Sequence, residues 1–273
     1  MTDLSWFLLE AGHCLHPEAS SLQGGTWTAC EFPALVTVIH HPQKGWILFD
    51  TGYGEAFLRS TRYFPEALYR TVTPVRFLPK QAVITQLYDR GISPADVTTI
   101  IISHFHGDHV GGLADFPDAV VWCSSVGLND LNTRTRFSAL TKGLLPALVP
   151  KRTAERACFF ESCKKILLVN ELAPFEYGFD VLSDGSLIAI PLPGHAAGHF
   201  GLCFRSDGRW VFLVGDAAWS TRAIQENLPP PRWATALLGD TETYRKTLSM
   251  LHAMASRGTD VKFVPSHCRE LRP

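Results

Sequence analysis

Hydrophobic residues fall along this chain in short runs rich in β-branched side chains. Residues 34–39, 46–49, 98–102 and 119–122 in the first half, and 166–169, 187–190, 200–204, 210–214 and 261–264 in the second, are punctuated by Gly, Pro, His or charged positions. Runs of this length with such punctuation predict buried strands. Two stretches carry a helical period instead. Residues 80–90 place Ala82, Val83, Leu87 and Tyr88 at helical spacing and stop at Gly91, while 240–256 opens on Asp240 and closes on Arg257 and Gly258. Strands in both halves, flanked by helices and undivided by any Ser/Gly linker or charge run, predict a layered α/β architecture in one domain spanning 1–273.

Three segments depart from this rhythm. Residues 1–11 lack a basic start and meet Glu10 after the short apolar stretch Trp6, Phe7, Leu8 and Leu9, so they read as a strand and not a signal peptide. Residues 124–165 carry Leu131, Phe137, Leu140, Leu144, Leu145 and Leu148 between basic positions and lack convincing strands, which predicts an inserted helical piece, either covering a cleft or packing. Residues 53–79 form a long irregular stretch with Tyr53, Phe57, Tyr63, Phe64, Tyr69 and Phe77, a candidate wall for an apolar pocket.

Composition narrows the class. With 46% apolar residues over 273 positions, and a mean hydropathy of +0.05, the chain has enough apolar surface to fill a globular core. The 25 Lys and Arg balance 26 Asp and Glu, so no broad field draws it to nucleic acid or an anionic membrane. No run approaches the roughly 20 apolar residues of a membrane span. The expected compartment is the cytoplasm, the expected partner a small-molecule substrate, and the oligomeric state is open. Seven cysteines, scattered without close pairing, read as small buried hydrophobes.

The chemistry is concentrated after the 98–102 strand, where the chain reads His104, Phe105, His106, Gly107, Asp108, His109. Three imidazoles and a carboxylate within six positions make poor core filler, because each buried polar group needs a partner, and zinc supplies one. His104 and His106 alternate along an extended strand end and face one ion; Asp108 and His109 follow the Gly107 turn and reach a second. His195, Asp216 and His267 each come just after another predicted strand, as ligands lining a cleft along one sheet edge would.

This set resembles the metallo-β-lactamase superfamily, whose pattern is HxHxDH followed by a distant His, an Asp and a final His. The likeness runs from Asp50 to His267. It implies an αβ/βα sandwich of two mixed sheets flanked by helices, with two Zn2+ at one edge, other divalent metals being possible. By the resemblance, His104, His106 and His195 bind one zinc, Asp108, His109 and His267 the other, and Asp216 bridges them. Asp50 would support the ligands from behind; the triplet Asp50, Thr51, Gly52 is not an aspartic-protease signature, since no second triplet exists. His199 reads as a hydrogen-bonded structural histidine. His13, His16, His40, His41 and His252 lack ligand spacing, and Cys268 reads as a neutral thiol.

Two zincs sharing a water would yield a metal-bridging hydroxide that attacks a carbonyl or phosphorus centre, with Asp108 passing the proton to the leaving group. The Asp216 bridge departs from the β-lactamases themselves. Only six residues follow His267, where glyoxalase II enzymes carry a helical extension, and flavodiiron proteins have a Glu at the place of His106. The sequence is most similar to the N-acyl homoserine lactonase-like group, the quorum-quenching hydrolases. Those enzymes commonly carry a Tyr three residues after the bridging Asp, whereas this chain has Trp219, which either shapes the substrate pocket or packs. The expected activity is opening of a lactone or related carboxylic ester of an acyl-bearing small molecule. A dizinc phosphodiesterase or phosphotriesterase, or an acyl thioesterase, is the alternative, and a non-catalytic metal-containing ligand-binding protein is a remote one. Phosphate substrates would call for Arg or Lys at the pocket mouth, for which Arg222, Arg232, Lys151 and Arg152 are the candidates.

Overall fold

A computed structural model describes residues 3–273. Seven strands, β1 (Ser5–Pro17), β2 (Ala29–His41), β3 (Gly45–Phe49), β4 (Val75–Arg76), β5 (Val97–Ile101), β6 (Val120–Cys123) and β7 (Cys158–Phe159), form one sheet in the order β4-β1-β2-β3-β5-β6-β7. Six more, β8 (Lys164–Leu167), β9 (Tyr177–Asp180), β10 (Ile188–Pro191), β11 (Phe200–Ser206), β12 (Arg209–Gly215) and β13 (Val261–Pro265), form a second in the order β13-β12-β11-β10-β9-β8. Both sheets are mixed. β3, β5, β6 and β7 run parallel beside the antiparallel β1–β2–β3 meander, and β12 pairs parallel with β13 while its other neighbour, β11, is antiparallel.

Alternation along the strands explains why the sheets stack. In β12, Val211 and Leu213 face the other sheet, while Trp210, Phe212 and Val214 face a helix layer. In β3, Ile47 and Phe49 point into the same middle layer and Leu48 points outward. Each such strand is apolar on both faces, so it must be covered twice. The helices do this. α1 (Glu55–Ser60), α2 (Ala67–Val72), α3 (Val83–Tyr88), α4 (Gly107–Val110), α5 (Ser125–Thr133), α6 (Arg136–Thr141) and α7 (Lys151–Glu155) belong with the first sheet; α8 (Thr221–Gln225), α9 (Arg232–Leu238) and α10 (Thr241–Ser256) belong with the second. The result is the αβ/βα sandwich.

Several local expectations need correction. The helical stretch at 80–90 is a 3-10 turn at Pro79–Gln81 followed by α3, because Ala82 between them is extended. Residues 53–79 are not irregular: they hold α1, α2 and β4. The 124–165 segment is helical through α5, α6 and α7, but it also contributes β7 and the start of β8. The N-terminal strand is present as β1, the expected first two residues lying outside the described ones. All seven cysteines are free. Among the described residues no helix is long and apolar enough to cross a membrane.

Candidate metal centre

Strand ends from both sheets deliver polar residues to one edge of the sandwich. β5 stops at Ile101, so His104 and His106 sit on the loop beyond it and not on an extended strand end; His106 then caps α4, which carries Asp108 and His109. His195 follows β10, Asp216 follows β12 and His267 follows β13. The segments are tied together by backbone hydrogen bonds: the Phe200 N–H donates to the Ser103 carbonyl at 3.0 Å, and the Thr51 N–H to the His109 carbonyl at 2.8 Å. Gly143, at φ +70°, turns against His106, where a Cβ would come within 3.2 Å of the imidazole.

The seven side chains converge in two groups. His104, His106, His195 and Asp216 offer donor atoms within 4.8 Å of one another, and so do Asp108, His109 and His267. Asp216 touches both: its Oδ2 lies 3.2 Å from His195 Nε2 and 3.1 Å from His267 Nε2, and its Oδ1 lies 3.3 Å from His109 Nε2. Asp108 Oδ2 lies 3.4 Å from His267 Nε2.

A surrounding layer of hydrogen bonds aims these donors. His267 Nδ1 donates to the Pro33 carbonyl at 2.7 Å, which leaves Nε2 facing the centre. His109 Nδ1 lies 2.7 Å from Asp50 Oδ2, and the same carboxylate accepts from the Ser103 amide and hydroxyl, each at 2.8 Å. His199 donates from Nδ1 to the Leu192 carbonyl at 2.9 Å and accepts the Asp216 N–H at Nε2 at 3.1 Å. Both its nitrogens are spent, so it steadies the Asp216 backbone and has no lone pair for an ion.

The electrostatics follow from burial among charges. Burial, then the neighbouring imidazoles, holds His104 and His106 well below the usual imidazole value, so they are neutral and keep a lone pair. Burial also lowers His199, to about 3. At His109 burial pulls the same way, but the carboxylates of Asp216, Asp50 and Asp108 outweigh it and raise the group well above its usual value. Against its own burial, Asp216 is held well below the usual carboxylate range by His267, His109 and His195.

Among the described residues, His109 Nε2 and Asp216 Oδ1 are buried without a hydrogen-bond partner. The two atoms lie 3.3 Å apart as a charge pair poorly aligned for a hydrogen bond, and a divalent cation in place of the imidazole proton would satisfy both. The donor set, imidazole nitrogen and carboxylate oxygen, suits such an ion. The side chains form a dinuclear metal-binding cluster.

A cavity of about 470 Å³ opens over it. Its floor includes His106, Asp108, His195 and Asp216, and its walls include Leu68 and Val72 of α2, Phe137 and Leu140 of α6, and Trp233 and Leu237 of α9. The 124–165 segment thus both fills core, through Leu128 and Leu131, and walls the cleft. Of the aromatic residues in 53–79 only Tyr69 reaches the cavity; Tyr53, Phe57 and Phe77 are core, while Tyr63 and Phe64 are exposed. Trp219 lines the cavity with its ring 4.5 Å from that of His267 and 5.1 Å from that of Phe32. The α9 wall and Tyr244 lie outside the sequence expectations; for α9 the signal is the Trp233, Leu237, Leu238 spacing on a short Pro-flanked stretch. Burial, with Glu270 beside it, pushes the Cys268 thiol up to about 11, so it stays neutral.

The family profile of the metallo-beta-lactamase superfamily matches residues 31–267. The chain belongs to this superfamily. The metallo-β-lactamase centre found here is a dinuclear metal-binding cluster, and the chain sits with the N-acyl homoserine lactonase-like members of the superfamily. It is 30% identical over 228 residues to the N-acyl homoserine lactonase AiiB of Agrobacterium fabrum, covering 82% of this chain and 75% of that one. A probable metallo-hydrolase of Mycobacterium tuberculosis is 30% identical over 183 residues, 63% of this chain and 53% of the relative, so the chain spans about half of that protein's length. Among solved structures, an N-acyl homoserine lactone hydrolase with N-hexanoyl-L-homoserine at its catalytic metal centre superposes with a TM-score of 0.71 at 19% identity, covering 99% of this chain and 95% of that one. At that identity the likeness shows the fold.

Proposed function

We propose that this metallo-β-lactamase-fold protein opens a lactone or related carboxylic ester of an acyl-bearing small molecule. The observation that carries the reading is the cavity: apolar walls from α2, α6 and α9 stand over a floor of clustered carboxylates and imidazoles, and among the described residues neither Arg nor Lys lines it. The lactonases among its relatives give the reading a second support.

In this reading His104, His106 and His195 would hold one Zn2+ and Asp108, His109 and His267 the other, with Asp216 able to serve both. When bound, such ions supply Lewis acidity and activate water near neutral pH. The chain does the rest. Asp50 fixes the His109 ring, the apolar walls hold the acyl chain and exclude water, and Trp219 shapes the side of the pocket above His267. Asp108, the least buried of the seven and open to the cavity, carries the proton to the leaving oxygen on its free carboxylate atom. Anionic phosphodiesters suit the cavity less. Arg222, Arg232 and Lys151 are exposed and paired with Glu226, Glu242 and Glu155, away from its wall.

The test is turnover by the metal-analysed protein of short- and long-chain acyl homoserine lactones, an acyl thioester and a phosphodiester, beside Asp108→Ala. Lactone opening that falls by about 10²-fold or more in the variant supports the reading. Turnover of the thioester or phosphodiester alone would sink it.

A further inference from the structure

Most polar side chains around the cavity spend their hydrogen-bonding atoms on the chain itself. His16 Nε2 is 3.2 Å from Thr73 Oγ1, Ser20 donates to the Pro17 carbonyl at 2.7 Å, Thr141 donates to the Ser138 carbonyl at 2.9 Å, and Thr235 is 2.7 Å from Thr241. The Tyr69 hydroxyl is within reach of the Gly107 backbone. Tyr244 is different. The residue is only 2% exposed and borders the cavity, and among the described residues no side-chain hydrogen bond engages its hydroxyl.

Its placement is also firm. The ring lies 6.4 Å from that of His195, on the side of the centre formed by His104, His106, His195 and Asp216. The N-cap and second turn of α10 are bound to the turn that carries His195: the Asp240 N–H donates to the Gly194 carbonyl at 2.8 Å, and Thr247 Oγ1 donates to the Pro193 carbonyl at 2.6 Å. Gly194 lies so close that a Cβ there would come within 2.2 Å of the Tyr244 nitrogen. A hydroxyl that opens onto the cavity with no partner in the chain is free to bond a substrate oxygen, and a donor fixed in advance favours the oxygen that gains charge during reaction.

We propose that Tyr244 is a catalytic residue, donating a hydrogen bond from its phenol to the substrate oxygen that becomes negative beside His195. The assignment rests on the hydrolase reading above but not on which ester is cut. Trp219 lies beside His267 instead, so the two aromatic groups border different sides of the centre.

The test is Tyr244→Phe in the metal-loaded protein, assayed on whichever member of the panel the wild type turns over best. The expected result is a fall in kcat of about 10²-fold with KM nearly unchanged. Metal content should equal wild type, and Tm should be unchanged or higher, because no internal hydrogen bond is lost. A kcat within about threefold of wild type overturns the proposal, and so does a loss that comes with reduced metal or a lower Tm, or one that appears in Tyr69→Phe instead. Wild-type activity confined to the thioester or phosphodiester sinks the lactone reading but leaves this test intact. A wild type that neither turns over nor binds any of the panel by calorimetry overturns both.

Discussion

Asp50 belongs to neither cluster, yet three hydrogen bonds converge on its carboxylate, from the Ser103 amide, the Ser103 hydroxyl and His109 Nδ1. Its backbone is held at φ +63°, a left-handed conformation uncommon outside Gly, Asn and Asp. Asp50→Ala should therefore act twice. The His109 ring loses the partner that fixes its tautomer, so metal affinity should fall about 10- to 100-fold in a competition titration with a chelating dye. The buried Ser103 amide and His109 Nδ1 lose their acceptor, so the denaturation midpoint should fall by the equivalent of about 3–5 kcal/mol. Wild-type affinity in that variant would mean that the imidazole is aimed by packing alone. The same logic separates His199 from the clustered residues: the sequence reading of a hydrogen-bonded structural histidine holds, since one nitrogen bonds the Leu192 carbonyl and the other the Asp216 backbone.

At the scale of elements, the tightest joint is between α10 and the turn at Gly194. Gly194 has φ +124°, and an added Cβ would press on the Tyr244 backbone, which cannot yield as a side-chain tip would. Gly194→Ala should cost more than about 2 kcal/mol in chemical denaturation and also lower metal content, since the turn carries His195. By contrast Asp240→Ala removes only the N-cap, whose carboxylate accepts the Thr243 N–H at 2.7 Å, and should cost about 1 kcal/mol with metal content intact. The contrast in legibility has the same origin. β2, β3, β5 and β10 to β13 were readable because their apolar runs are covered on both faces, and α10 because it is long enough to show its period. α1, α2, α6 and α9 have six or seven residues each, too few to be stable alone, and are held by the tertiary surface beneath them. β1 was read only in part, because its register shifts between Glu10 and His13 and its second half carries polar residues. The seven clustered residues were legible because they are chemically out of place in an apolar sequence. Tyr244 was not, because on an amphipathic helix it looks like core.

For the whole molecule, the middle layer joins the sheets through Ile47, Phe49 and Ile101 on one side and Leu202, Phe204, Val211 and Leu213 on the other. Phe204 is fully buried there, and Phe204→Ala should cost about 3–5 kcal/mol, read from urea denaturation. Neither sheet owns a complete cluster: His104, His106, Asp108 and His109 come from the first, and His195, Asp216 and His267 from the second. Ion binding to the native arrangement should then raise Tm, and a chelator should lower it to a value independent of added cation. The shared ownership makes the centre a gauge of sheet registry. A slip of a few tenths of an ångström across the middle layer changes every cross-sheet donor distance at once, whereas a void outside either sheet changes none. Phe204→Ala, far in sequence from every donor, should therefore weaken cation affinity, while Leu251→Ala in the outer layer of the second sheet should soften the fold and leave affinity as it was.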